Sequence, residues 1–183
     1  MRWNMLVIET GSFKRKRLEM VPDKRTRYTP GKVRMALVNI LNLNNKTVLD
    51  LCAGSGIVGF EFLSNGAKYV HFVEISSKAV KTIAANSRIL GVEKRIKIFK
   101  KDARIFLRTS KNRYEIVFTD PPFELGIVNN LLVNISNIVT KDGIIIVEHS
   151  KKEKLSIPDS LELLVTKRFG DIHLDFFRLK NVL

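Results

Sequence analysis

At 183 residues, with 32 Lys+Arg against 18 Asp+Glu and a formal charge of +14, the chain has the size of one domain and the charge of a polyanion binder. Such a length buries roughly 70% of the unfolded chain's surface. No apolar run approaches the roughly 18 residues of a membrane span, no long apolar leader is visible, and the single cysteine, Cys52, excludes an internal disulfide. The expectation is a cytoplasmic protein.

In chain order, residues 4–20 read as a hairpin carrying the basic run Lys14, Arg15, Lys16 and Arg17. The charge excess is concentrated here: residues 1–34 hold ten Lys+Arg against three Asp+Glu, net +7. Trp3, Phe13 and Tyr28 are interleaved with these cations, which suits an RNA-docking surface. A merely solvated charged face is the alternative. A membrane surface is a poorer one, because no amphipathic helix with a broad apolar face accompanies the charges. Residues 1–30 are therefore expected to form a basic extension and residues 31–183 the main domain. A basic loop leads to a helix around Gly31 to Leu43. Strands are expected near 47–51, 69–74, 95–99, 114–119 and 142–148, with helices near 56–65, 76–90, 102–108 and 124–139. Strands separated by helices pair in parallel through right-handed crossovers. The apolar runs Val70 to Val73 and Gly143 to Val147 suit a sheet covered on both faces. Ser160 to Phe169 and Asp171 to Leu179 flank the turn residues Gly170-Asp171 and read as a closing hairpin that adds an antiparallel strand. The expected fold is α/β and Rossmann-like, a mostly parallel seven-stranded sheet with helices on both faces.

The apolar strand Thr47 to Leu51 runs into Cys52-Ala53-Gly54-Ser55-Gly56-Ile57-Val58-Gly59, and Phe60, Phe62 and Leu63 follow at helical spacing. Strand, glycine-rich turn and helix are the context of a nucleotide loop. Gly54 and Gly56 permit positive φ and close ligand approach, while Gly59 permits close packing of helix on strand. Glu74 lies eighteen positions beyond Gly56, where an acid holds ribose hydroxyls. The glycines also satisfy the dinucleotide pattern G-x-G-x-x-G, so NAD competes. Asp50, on the strand before the turn, can receive an amino-acid ammonium. Asp102, after the run Ile96 to Phe99, can accept from an adenine amine. S-adenosylmethionine carries both groups and lacks a pyrophosphate, so it is favoured. Glu74 as a strand-end charge and Asp102 as a helix N-cap are the plainer readings.

Asp120-Pro121-Pro122-Phe123 ends the apolar run Ile116-Val117-Phe118. Each proline fixes its φ, lacks an N–H and holds the preceding residue extended, which leaves carbonyls free to accept hydrogen bonds. Asp120 adds a side-chain acceptor and Phe123 a stacking face. Acceptors beside a stacking surface suit the exocyclic amine of a nucleobase; a proline turn with Phe123 in the core is the alternative. Cys52 is read as packing. His71, His149 and His173 lack metal-ligand spacing and are read as structural, so no metal is expected.

These two blocks make the chain resemble the bacterial methyltransferases that modify N2 of a guanine in 16S ribosomal RNA. The resemblance covers nearly the whole chain. It extends to the basic hairpin Gly11 to Leu18, to Arg27-Tyr28-Thr29 with the helix after it, and to Val147-Glu148-His149-Ser150. Tyr28 stands where that family usually has proline, Met35 where it has an acid, and Arg15 where its hairpin has a second glycine. The resemblance implies S-adenosylmethionine as cofactor, held by Asp50, Ala53, Gly54, Ser55, Gly56, Glu74, Asp102 and Ala103. It implies catalysis by Asp120, Pro121, Pro122 and Phe123. RNA contacts are expected from Lys14, Arg15, Lys16, Arg17, Arg27, Thr29 and Arg34. The partner would be 16S rRNA, the small subunit or an assembly intermediate, with the enzyme a monomer. A DNA adenine or cytosine amino-methyltransferase uses a similar pocket, and a non-catalytic RNA-binding assembly factor on the same scaffold is the alternative from another class.

Overall fold

The computed structural model describes residues 5–122 and 126–180. Two short strands, β1 (Leu6–Val7) and β2 (Arg17–Leu18), pair antiparallel ahead of the main sheet. That sheet contains β3 (Thr47–Leu51), β4 (Tyr69–Glu74), β5 (Ile96–Lys100), β6 (Tyr114–Thr119), β7 (Val139–Ser150), β8 (Leu161–Phe169) and β9 (Ile172–Leu179). Side by side they run β5-β4-β3-β6-β7-β9-β8. The pairs from β5 to β7 are parallel, whereas β9 is antiparallel to both its neighbours. The helices are α1 (Gly31–Ile40), α2 (Ile57–Ser64), α3 (Ser77–Leu90), α4 (Ala103–Thr109) and α5 (Val128–Ile135).

Alternate strand residues point to opposite faces, and both faces are covered. Val48, Val70, Phe72, Ile116 and Phe118 pack with Phe60 and Phe62 of α2 in one core layer. Leu49, Leu51, Val73, Val117 and Ile145 pack with Phe106, Leu131 and Leu132 of α4 and α5 in the other. The central strands are therefore apolar at nearly every position, as parallel strands between helical layers must be. Leu6, Ile8 and Leu18 of the N-terminal hairpin join the first layer.

Gly59 sits where α2 crosses β4, and a Cβ there would overlap the Phe72 ring; the close packing anticipated for this residue is its reason. Arg15 takes the left-handed backbone at φ 69°, a conformation that favours glycine.

Several boundaries differ from expectation. The strand expected from 142 starts at Val139. Exposed Lys141 and Asp142 hide its first residues in the sequence, and its register against β6 shifts between Tyr114 and Ile116. The helix expected over 124–139 is α5 alone, followed by a 3-10 turn over Ser136–Ile138. α1 ends at Ile40 rather than Leu43. Among the described residues no helix is long and apolar enough to cross a membrane.

The strand order reverses between β3 and β6, the switch point at which open α/β sheets bind ligands beyond the carboxyl ends of their strands. The glycine turn leaves β3 at that edge and Asp120 leaves β6 beside it.

Candidate active site

Three residues of the turn after β3 have left-handed backbones: Cys52 at φ 67°, Gly54 at 55° and Gly56 at 79°. The Cys52 and Ala53 N–H groups donate to the Val73 carbonyl at 3.0 and 3.1 Å, and Gly56 N–H donates to Ala53 at 2.8 Å. A Cβ on Gly54 would meet only Thr26 Cγ2 at 4.0 Å. Its φ and the approach of a ligand, not internal packing, require the glycine. Gly56 differs: a Cβ there would press on the Phe60 and Phe72 rings.

Two acids tie this turn down. Glu74 accepts the N–H groups of Gly54 and Ser76, each at 2.8 Å. Asp50, 2% exposed, accepts the Gly59 N–H at 2.9 Å. Burial pushes the Asp50 carboxyl up to about 8, against the Gly59 hydrogen bond and with the help of the Asp120 and Glu74 charges.

A cavity of about 510 Å³ runs from the glycine turn to Asp120, and every predicted cofactor residue except Gly56 lines it, together with Asp120, Pro121 and Pro122. Gly56 lies just beneath, capping α2. Ser55 borders the cavity, but its hydroxyl is buried and has no hydrogen-bond partner. Asp102 lines the cavity and also fills the plainer role. Its carboxylate caps α4 through Arg104 N at 2.8 Å and pairs with the Arg104 guanidinium at 2.6 Å, which holds its pKa down to about 2. Phe123 lies outside the described residues, as does Trp3.

Asp120 follows β6, and Pro121 after it is buried while Pro122 is exposed. Burial raises the Asp120 carboxyl despite the Arg27 cation facing it. Its neighbour Glu148, named in the sequence only within the Val147 to Ser150 resemblance and given no role, is a buried acid on β7 that accepts the Thr29 hydroxyl at 3.1 Å. An acid directly after the apolar stretch Ile144 to Val147 was the signal that could have found it.

Two expected RNA contacts are corrected. Thr29 is 4% exposed and bonds to Glu148, so it serves the cavity wall. Arg34 is also 4% exposed, because its guanidinium is consumed inside the protein. It donates to Glu61 at 3.1 Å, the Thr29 carbonyl at 2.7 Å, the Val7 carbonyl at 2.8 Å and Glu9 at 3.1 Å. Lys14, Arg15, Lys16 and Arg17 are exposed on the hairpin, and Arg27 is exposed at the cavity mouth.

The donor set suits a cation. Asp50, Glu74 and Asp120 line the same cavity as the glycine turn; a bound cation favours ionised carboxyls there, whereas a pyrophosphate would oppose them. A family profile described as conserved hypothetical protein 95 matches residues 6–178. Ribosomal RNA small subunit methyltransferase D from Buchnera aphidicola is 29% identical over 168 residues, which span 88% of this chain and 87% of that one. The chain belongs to this methyltransferase family. YlbH of Bacillus subtilis, provisionally named an rRNA methyltransferase, is 31% identical over 87% of this chain and 89% of its own. Among solved structures, yhhF of Escherichia coli, provisionally named a methyltransferase, superposes with a TM-score of 0.87 at 25% identity, covering 97% of this chain and 99% of that one. With that superposition, the mostly parallel sheet with its antiparallel β9 is a class I methyltransferase fold.

Proposed function

We propose that this chain transfers a methyl group from S-adenosylmethionine to the exocyclic N2 of a guanine in 16S ribosomal RNA, acting as a monomer in the cytoplasm. One observation carries the reading: the glycine turn with its acids and the Asp120-Pro121-Pro122 segment line a single cavity. Asp50 would hold the ammonium of the cofactor, Glu74 the ribose hydroxyls, and Asp102 with Ala103 the adenine. Ser55 lies on the same wall. When bound, the cofactor supplies a methyl group already activated on sulfur.

What remains for the protein is positioning. Guanine N2 is a poor nucleophile because its lone pair is delocalised into the ring. The Asp120 carboxylate and the Pro121 carbonyl accept its two N–H bonds and turn the lone pair toward the methyl group. Phe123 would hold the ring by stacking, worth roughly 1–3 kcal/mol. The base must leave its stack to reach the pocket, which costs less from a loop or junction of folded RNA. The test is mass spectrometry of nucleosides from small-subunit rRNA incubated with the chain and labelled cofactor. N2-methylguanosine is the expected product, and label on another base or on none overturns the reading.

The hairpin Lys14 to Arg17 is the proposed docking surface. Reversing these four charges to glutamate should weaken RNA binding and flatten its salt dependence by about 0.7–0.9 in log–log slope for each phosphate that is no longer neutralised. A binding titration across about 50–200 mM salt checks this; an unchanged slope would put the docking surface elsewhere.

A further inference from the structure

A second buried acid stands behind Asp120, and the chemistry above leaves it unused. Glu148 follows Val147 on β7, and Val147 pairs with Thr119, the last residue of β6, so Glu148 and Asp120 are neighbours across the sheet. Glu148 is 3% exposed and its Oε2 accepts the Thr29 hydroxyl at 3.1 Å. Arg27, two residues before Thr29, faces both carboxyls. Glu153, after β7, also bears on Asp120, which in turn acts on Asp50 and Cys52 across the cavity. His149, next to Glu148, turns to Asp175 of β9 at 3.1 Å and senses Glu153, with the His173 ring packed on its far side. Burial pushes both carboxyls upward, and the charge of Asp120 further opposes ionisation of Glu148.

Resting on the methyl-transfer reading above, we infer that Asp120 and Glu148 hold one proton between them before the cofactor binds, that the arriving sulfonium displaces it, and that methyl transfer returns it. In that transfer the lone pair of the target nitrogen forms the N–CH3 bond. The S–CH3 bond breaks with its electrons staying on sulfur, and an N–H proton passes to the carboxyl pair. Positive charge leaves sulfur and reappears as that proton. The net charge of the closed cleft is therefore the same before and after, so no uncompensated charge is created in a low-dielectric site. Glu148 is thus a positioning residue, since it acts through Asp120.

The inference distinguishes cofactor from product. S-adenosylhomocysteine has the same adenosine and ammonium groups as S-adenosylmethionine but a neutral sulfur. Asp50 meets the ammonium of both alike, so the difference between the two ligands reports the carboxyls that respond to the sulfonium, and a Glu148 variant assigns the share of the pair.

The experiment is calorimetric binding of S-adenosylmethionine and S-adenosylhomocysteine to the full chain in buffers of different ionisation enthalpy. Near neutral pH the sulfonium ligand should release more protons than the product, by a difference approaching about one. Glu148→Gln should diminish that difference near neutral pH, because an amide holds no titrating proton and only the burial-raised Asp120 is left to respond. Thr29→Val removes a donor to the Glu148 carboxylate, so it should move the largest difference to higher pH; it serves as the second variant should Glu148→Gln not fold. Equal release by both ligands, or an undiminished difference in Glu148→Gln, overturns the inference alone. Failure of both ligands to bind overturns the donor itself and this inference with it.

Discussion

Replacing Asp120 with alanine should lower turnover by about 10³-fold or more, since both the acceptor for the target amine and the proton-accepting group are lost. The cofactor should still bind within about tenfold of normal, because one charge removed at several ångströms in a polarisable site is worth of order 1 kcal/mol. Asp120→Asn separates the two roles. Its carbonyl still accepts an N–H bond but cannot take up the proton, so its loss should be smaller than that of alanine. The pH dependence has a fixed sign. Burial raises the Asp120 carboxyl, and the protonated form cannot take up the proton that transfer releases. Turnover of the native chain should therefore fall as pH drops below neutral, nearer neutrality than for an exposed aspartate. Single-turnover kinetics with labelled cofactor measures all three; an Asp120→Ala enzyme within tenfold of normal would end the mechanism.

Arg34→Met should be the most damaging substitution outside the cleft. Arg34 bonds to Glu61, Glu9 and the Val7 and Thr29 carbonyls, and so joins the hairpin, α1, α2 and the cavity wall. Glu61 is 0% exposed, and its second oxygen already lacks a partner. Without the guanidinium its charge is stranded in the core, at about 3–5 kcal/mol. For a chain of this size that lowers the melting temperature by about 6–20 °C. Replacing both residues, Arg34→Met with Glu61→Met, should recover part of the loss, since no charge is then left unpaired. Thermal melts of the two variants check this; equal losses would show that the pair is not what holds the hairpin.

Local rules made much of the molecule legible. The glycine turn could be read because Gly54, Gly56 and Gly59 each answer a separate demand, and the two-sided sheet because β3, β4 and β6 are apolar on both faces. The cleft was legible because its parts end adjacent parallel strands. Illegible features were those fixed by residues distant in sequence. Arg34 looked like one more cation of a basic segment, yet its partners at 7, 9, 29 and 61 come from three other parts of the chain. Two signals were present. Arg34 lies beside Val33 and Leu37 on the inward side of α1, and Glu61 is the lone acid in an apolar helix. Thr29 was read as facing RNA for want of knowing that β7 brings Glu148 beneath it. The early start of β7 was hidden because Lys141 and Asp142 look like a turn.

The interior place of β9 has a consequence for biosynthesis. β8 is made before β9 but touches the sheet only through it. While a ribosome is still adding residues 172–179, β7 presents an open edge and β8 has nowhere to dock, the kind of surface on which nascent chains aggregate. Sealing of the sheet therefore waits on residues 172–179, and a chaperone that shields strand edges has its window before they emerge.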